Sequence, residues 1–207
     1  MSGSQDLAAL PARGERTEEG IDLARAERAT AELLRALGAD PAGDEEALRQ
    51  TPRRVAAAFG QLLTPRPFDA TTFPNDEGYD ELVVVHDIPF RSLCMHHLLP
   101  FHGVAHVGYV PGERIVGLSK LARVVEWFSS GLQTQERLTA QVADWLQDEL
   151  APVGVGVALE AEHLCMTLRG VGARGAATTT LARRGAIRDD PDVGAEFRAR
   201  VADRGGR

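Results

Sequence analysis

The chain has 207 residues, of which 43% are hydrophobic and 26% are charged. This composition excludes a wholly disordered chain, and the length fits one domain, or one domain with an appendage. The formal charge is −7, from 23 basic and 30 acidic residues, which argues against a nucleic-acid partner because no positive field covers the surface. No apolar run approaches the roughly 18 residues that a membrane span needs. The two cysteines suit a reducing cytoplasm better than a disulfide scaffold.

The first third of the chain is predicted to be helical. Residues 1–20 carry Ser, Gly, Pro and charges without a period, so we expect a flexible tail without a secretory signal. Residues 21–80 are predicted as an N-terminal helical segment that ends in a Pro- and Asp-rich connector. The predicted helices are Ile21–Leu37, followed by Gly38, then Glu45–Gln50 capped by Asp44, and a helix that starts at Thr51-Pro52 and ends near Leu63.

From Leu82 onward, β-branched and alternating runs predict strands, with two helices between them. The predicted strands are Leu82–Ile88, Gly103–Val110, Arg114–Gly117, Val153–Glu162 and Met166–Arg169. The predicted helices are Lys120–Ser129, capped by Ser119, and one from Thr134 to Leu150 that carries Leu138, Val142 and Leu146 on one stripe. This order predicts an α+β fold with antiparallel pairing for residues 81–207, which close with a short helix.

The densest cluster of reactive side chains is Cys94-Met95-His96-His97. The spacing of Cys94 and His97 lets a tight turn bring two ligands onto one metal, and Cys165 lies close behind His163. Two thiolates and one imidazole suit zinc and leave one position for water, as in a catalytic site. The alternative is that both cysteines are small buried hydrophobic residues. A structural role is favoured for the remaining histidines in or near strands, His86, His102 and His106.

Two predicted helix starts carry side chains suited to a nucleotide. Lys120, the only lysine of the chain, lies with Arg123 on one face of a helix whose N-terminal amides favour anions. A solvated basic face is the alternative. Glu136 stands near the next helix start, where the helix dipole alone favours a carboxylate. As a functional residue, it would accept hydrogen bonds from the ring N–H and the exocyclic amine of guanine, a pair of donors that adenine lacks.

Four motifs, in order and at matching spacing, resemble those of the GTP cyclohydrolase I family over about residues 45–200. The motifs are residues 90–101 (FRSLCMHHLLPF), 117–123 (GLSKLAR), 133–139 (QTQERLT) and 163–171 (HLCMTLRGV). Four motifs in register are far more specific than any one of them.

The resemblance implies a tunnelling fold, which is an antiparallel sheet with two helices packed on it, behind an N-terminal helical segment. It implies zinc-dependent conversion of GTP to 7,8-dihydroneopterin triphosphate with release of formate, in a homodecamer of two pentamers. By motif position the zinc ligands are Cys94, His97 and Cys165, and the proton-transfer residues are His96 and His163. The implied guanine readers are Gln135 and Glu136, and the implied triphosphate holders are Ser119, Lys120, Arg123 and Arg169.

Two departures from the family pattern leave alternatives open. Met95 stands where the family commonly has Glu, and Ser129–Leu132 lacks an arginine that relatives commonly carry. A carboxylate beside a metal ligand usually orients ligands or tunes their basicity. A paralogue of altered activity and a non-catalytic nucleotide-binding ring protein therefore stay open. Among enzymes of the same fold, a nitrile reductase would not need Cys165, and a carboxytetrahydropterin synthase would bind zinc through three histidines.

Overall fold

The computed structural model describes residues 20–203, which form two compact units, residues 20–64 and residues 65–203. The predicted tail over residues 1–20 lies outside the described residues except for its last position. No helix among the described residues combines the length and the apolar character that a bilayer crossing requires.

The first unit contains two helices, α1 (Leu23–Ala36) and α2 (Thr51–Leu63). The side chain of Asp22 caps α1, and Gly38 follows it in the left-handed region with φ +84°, so the predicted end of this helix is confirmed. The predicted Asp44 cap is wrong, because only a 3-10 turn over Glu46–Leu48 forms before α2. Six residues ahead of a proline give too few hydrogen bonds to stabilise a separate α-helix.

The second unit contains a sheet of five strands, counted within residues 65–203 and ordered β5-β2-β3-β6-β7. Neighbouring strands are antiparallel except for the short parallel pair β2–β5. A separate antiparallel pair joins β1 and β4. The strands are β1 (Thr72–Pro74), β2 (Val83–Cys94), β3 (Pro100–Val110), β4 (Arg114–Val116), β5 (Leu132–Gln133), β6 (Gly154–His163) and β7 (Thr178–Gly185).

The helices of this unit pack on both faces of the sheet. They are α3 (Leu118–Ser129), α4 (Gln135–Leu150), α5 (Leu164–Thr167), α6 (Ala186–Asp189) and α7 (Pro191–Ala202). The main core lies between α3, α4 and one sheet face, and it contains the predicted stripe of Leu138, Val142 and Leu146. On the other face, Phe197 of α7 is fully buried because Gly156 leaves room for its ring. The predicted α+β class with antiparallel pairing is confirmed.

Three local predictions of this unit are wrong. Met166–Arg169 is not a strand, because the chain turns into α5 directly after His163. The last strand of the sheet is β7, which the sequence reading did not predict. Ser119 does not cap α3; Gly117 occupies the N-cap position, and Ser119 lies in the first turn. These errors share a cause, since each boundary is set by tertiary packing rather than by local propensity.

The strand order brings the motif residues to one edge of the sheet, namely the edge at which β2 and β6 end and β3 begins. β3 lies between β2 and β6, so that Pro100 pairs with Leu93 of β2 and Phe101 pairs with His163 of β6. The end of β2 and the end of β6 therefore flank the start of β3. The segments that follow these two strands carry Cys94 and Cys165.

Candidate active site

Three potential metal ligands meet at this edge of the sheet. The ligand atoms of Cys94, His97 and Cys165 all lie within 4.8 Å of one another. Cys94 is buried at the end of β2, Cys165 is half-buried in α5, and His97 is exposed. Among residues 20–203, no other group of His, Cys, Asp and Glu side chains has this arrangement. The structure thus brings together the three residues that the sequence analysis names as candidate metal ligands.

The turn after β2 fixes two of the three ligands. The amide of Cys94 donates to Leu99 O, and the amides of His97 and Leu98 donate back to Cys94 O. Leu98 adopts a left-handed conformation with φ +56°, which closes the turn. These backbone bonds bring Cys94 Sγ within 3.7 Å of His97 Nδ1. The same turn also holds His96, whose Nδ1 lies 3.8 Å from Cys94 Sγ.

The surroundings of Cys165 affect the acidity of its thiol. Burial raises the pKa of the Cys165 thiol, and the neighbouring Cys94 raises it further, whereas the charge of Arg169 acts in the opposite direction. Arg169 is thus close enough to the ligand group to act on it electrostatically. A thiolate at Cys165 needs a nearby positive charge, which a bound metal ion would provide.

His163 lies beside the ligand group on a rigid support. Its ring stacks on that of Phe101 with parallel planes and centroids 4.6 Å apart. Its Nε2 lies 2.7 Å from Oε1 of Gln135. Burial lowers the pKa of His163 below its ordinary value, and the nearby carboxylate of Glu136 partly opposes this shift. The contacts with Phe101 and Gln135 therefore fix the ring of His163, and burial favours its neutral form.

Gln135 and Glu136 point in different directions from the start of α4. Gln135 is 1% exposed, and its amide nitrogen donates to the carbonyls of Leu159 and Thr178. Glu136 is exposed, in the first turn of a helix that Thr134 caps by accepting the amide of Arg137. Of the two residues assigned to guanine, only Glu136 presents its side chain to solvent.

The residues assigned to the triphosphate lie on α3 and in the loop after α5, where Arg169 is exposed. Ser119, Lys120 and Arg123 belong to the first two turns of α3, with Ser119 and Arg123 exposed. Arg123 Nη1 lies 3.5 Å from Glu126, which also pairs with Arg66. Within the part of the chain that the structure describes, no ion pair joins Lys120 to an acidic side chain, so its charge is available to a ligand.

The sequence reading missed two contacts of this site. The ring of Phe101 supports His163, and the side chain of Gln135 contacts the same histidine. Phe101 reads in the sequence as an ordinary strand residue. The partners of Gln135 are carbonyls 24 and 43 residues further along the chain, and no local pattern indicates them.

Met95 is the one departure from the family pattern that faces solvent beside the ligands. Its side chain is 42% exposed, and its amide donates to Gln133 O in β5. The backbone of Met95 thus extends the strand pairing that fixes the turn. Its side chain carries no carboxylate that could act on the ligand group.

An α+β fold with a Cys-His-Cys group and two further histidines at one edge of its sheet is typical of a metal-dependent enzyme. Residues 26–202 match the GTP cyclohydrolase I family. The chain belongs to this family, and its sheet with α3 and α4 on one face confirms the tunnelling fold that the resemblance implies.

Several proteins named GTP cyclohydrolase 1 are similar to the chain over most of their length. The protein from Mycolicibacterium vanbaalenii is 52% identical over 185 residues, which cover 87% of this chain and 91% of that one. The protein from Thermobifida fusca is 49% identical over 199 residues, 94% and 92% of the two chains. The protein from Aquifex aeolicus is 48% identical over 177 residues, 86% and 95% of the two chains.

Proposed function

We propose that this chain converts GTP to 7,8-dihydroneopterin triphosphate with release of formate, and that it uses zinc held by Cys94, His97 and Cys165. The observation that carries the proposal is the meeting of these three ligand atoms, from two distant segments, within 4.8 Å. Family membership supports the reaction, and the ligand geometry supports the metal. The other site residues then divide into those that move protons, those that read the base and those that hold the phosphates.

The donor set fits zinc. Two thiolates and one imidazole have the borderline-soft character that zinc prefers, and three protein ligands are typical of its catalytic sites. When bound, the metal supplies the Lewis acidity that makes water a nucleophile at neutral pH. Both cysteines are free thiols, and their use as ligands supports a reducing, cytoplasmic location.

His163 and His96 are the proposed proton-transfer residues. Opening the guanine imidazole ring requires protonation at a ring nitrogen and later proton transfer to the departing amine. An imidazole whose pKa lies near the working pH performs both transfers efficiently. The lowered pKa of His163 favours its neutral form before it accepts a proton. His96 is exposed in the turn of the metal ligands, which supports a role on the same ring of the substrate.

Glu136 is the proposed reader of guanine. Its exposed carboxylate accepts two hydrogen bonds, which matches the ring N–H and exocyclic amine on one edge of the base. The carboxylate also acts electrostatically on His163. The base-reading group and the proton-transfer group are therefore neighbours, as they must be if one purine contacts both.

The proposed triphosphate site consists of Lys120 and Arg123, with Ser119 at the start of α3, and Arg169 beside the metal ligands. An acidic chain of net charge −7 needs local positive charge to bind a polyanion. Holding the phosphates far from the reacting carbon positions the purine over the metal ligands.

We also propose that the chain assembles into a homo-oligomer, which the family resemblance predicts to be a decamer of two pentamers. Within the described residues, β7 has a hydrogen-bonded neighbour on one side only. An eight-residue strand with an open edge is a template for pairing with another chain.

The deciding experiment incubates purified, zinc-loaded protein with GTP and measures formate, and then pterin fluorescence after oxidation. We expect both products in the wild type and neither in His163→Gln, which keeps the fold but removes a proton-transfer group. Formate without the pterin would identify a paralogue of altered activity. GTP binding without either product would identify a non-catalytic nucleotide-binding protein.

A further inference from the structure

The side chain of Gln135 is the most completely bonded polar group of the site. It is 1% exposed, it lies at the start of α4, and it reaches two strands of the sheet. Its Nε2 lies 3.1 Å from Leu159 O in β6 and 2.8 Å from Thr178 O in β7. Its Oε1 lies 2.7 Å from Nε2 of His163. Three contacts to two strands, β6 and β7, fix the amide in one orientation.

Chemistry alone determines which end of this amide faces the histidine. A backbone carbonyl only accepts hydrogen bonds, so the NH2 group of Gln135 must face Leu159 O and Thr178 O. The reversed amide would place its oxygen against two carbonyl oxygens with no hydrogen between them, which is unfavourable in the core. The oxygen of Gln135 therefore faces His163.

An amide oxygen accepts but cannot donate, so the nitrogen of His163 that faces it must carry the hydrogen. We propose that Gln135 is a positioning residue that holds neutral His163 as the Nε2–H tautomer and leaves Nδ1 as the nitrogen that exchanges protons during the reaction. The hydrogen bond made by one ring nitrogen sets the state of the other. The tautomer assignment stands on geometry, whereas its catalytic consequence rests on the proposed function.

Two contacts favour the observed orientation of the ring. Phe101, which is fully buried, stacks flat on one face of the imidazole. A half-turn about the Cβ–Cγ bond would put Cε1 in the place of Nε2 and lose the hydrogen bond to Gln135. Thr139 further anchors the start of α4, since its hydroxyl donates to Gln135 O and lies 2.7 Å from the Thr180 hydroxyl.

This role differs from the guanine contact that the resemblance assigns to Gln135. Both amide hydrogens and one side of the oxygen are engaged within the protein. A base could reach this side chain only by breaking buried hydrogen bonds and leaving their donors and acceptors unpaired, which is costly. The exposed neighbour Glu136 makes such a contact without that cost. The proposal therefore predicts that a change at Gln135 lowers kcat and leaves the affinity for GTP nearly unchanged.

The first test examines the wild-type protein. Zinc-loaded, full-length protein with 13C,15N-labelled histidine is examined by solid-state NMR at mildly alkaline pH, where imidazole is neutral. The His163 signals are assigned from their loss in His163→Gln. Nε2 is bonded to Cδ2 and Nδ1 is bonded to Cγ, so nitrogen–carbon correlations show which nitrogen is protonated. A proton on Nε2 is expected, and a neutral ring protonated on Nδ1 overturns the proposal.

The second test compares Gln135→Met with the control Thr139→Val. Methionine keeps the side-chain length but accepts no strong hydrogen bond, whereas Thr139→Val removes a buried hydroxyl of the same network that does not touch His163. We expect Gln135→Met to lower kcat about 10- to 100-fold, the usual cost of losing a partner that orients a histidine. We expect KM for GTP to change by less than about twofold, and the single His163 tautomer to be lost.

The outcomes separate three interpretations. A raised KM with unchanged kcat and an unchanged His163 tautomer would show that Gln135 reads the base, and this overturns the proposal. Equal loss of kcat in Gln135→Met and Thr139→Val, with the tautomer retained in both, would show a merely structural role and overturns it too. Wild-type protein that shows the Nε2–H tautomer without forming products from GTP would refute the proposed function and leave the tautomer assignment standing.

Discussion

The Sγ of Cys94 lies 3.7 Å from the Nδ1 of His97, across a single turn of backbone. The carbonyl of Cys94 accepts the amide hydrogens of both residues that complete the turn, His97 and Leu98. The distance between the two ligands is thus set by main-chain hydrogen bonds at the end of a core strand. The backbone positions of the two ligands are therefore fixed by the same hydrogen bonds that end the strand.

The zinc assignment predicts that Cys165→Ser loses the metal and keeps the fold. Serine is a poor zinc ligand, and Cys165 lies half-buried at the edge of the sheet, outside the buried residues of the main core. We expect metal analysis after dialysis to give near-zero zinc for the variant, with the circular dichroism spectrum retained. Met166→Leu, an exposed neighbour in the same helix, serves as the control and should keep its zinc. Full zinc occupancy in Cys165→Ser would remove this residue from the ligand set.

Zinc binding is predicted to release protons and to weaken as the pH falls. The pKa of Cys165 lies above the ordinary thiol value in the metal-free site, so this thiol is protonated at neutral pH and must lose its proton to bind the metal. Each proton released lowers the apparent affinity about tenfold per pH unit below the thiol pKa. Calorimetry in buffers of different ionisation enthalpy measures the number released. Affinity that is independent of pH between 6 and 8, about the neutral range, would contradict the prediction.

Glu136→Gln is predicted to abolish most GTP turnover with little effect on stability. The amide presents one acceptor and one donor where the carboxylate presents two acceptors, so an N–H of the base meets an NH2 group. Sites that read a base through buried hydrogen bonds lose roughly 10⁴-fold in kcat/KM in favourable cases when a partner is mismatched. Asp148→Asn, an exposed charge-neutralising change in the same helix, is the control. Normal kcat/KM in Glu136→Gln would mean that guanine is read by another group.

Lys120→Ala is predicted to weaken GTP binding and to flatten its salt dependence. The variant makes one ionic contact fewer with GTP, so added salt screens less attraction and lowers the affinity less. The control is Arg28→Ala, an exposed cation of α1. Arg66 is a weaker control, because its Nε lies 3.6 Å from Glu126 and Glu126 also pairs with Arg123. Unchanged affinity and an unchanged salt slope in Lys120→Ala would place the triphosphate elsewhere.

Much of the fold follows from the sequence where a local signal coincides with the tertiary structure. The helix α4 begins directly after Thr134, within one residue of its predicted start, and Thr134 caps it, because a threonine ahead of a helical stripe satisfies an amide of the first turn whatever surrounds it. Gly38 ends α1 for a similarly local reason. The strand β7 was missed because its alternation runs against the usual pattern, with Leu181 49% exposed and its flanking residues Thr180 and Ala182 half-buried.

In the candidate site, too, the sequence predicted the residues that have a local signal and missed the contacts that depend on the tertiary structure. Cys94 and His97 are close in sequence and their spacing is a local signal, whereas Cys165 could be added only because it is the other cysteine of the chain. The link between Gln135 and His163 has no local signal at all, since it depends on two carbonyls supplied by different strands. Prediction from the sequence therefore identified reactive groups and could not identify what orients them.

The opposite orientation of two adjacent residues at the start of α4 has a consequence for how this protein can evolve. Gln135 is buried in the core and Glu136 faces solvent, because α4 starts with a fixed rotation about its own axis. The corner between α3 and α4 sets this rotation, since β5 within the corner pairs with Leu93 and Cys94. Inserting or deleting one residue there would turn the start of α4 by about 100° and exchange the two environments. The length of the corner is therefore constrained by the two environments that it assigns to Gln135 and Glu136.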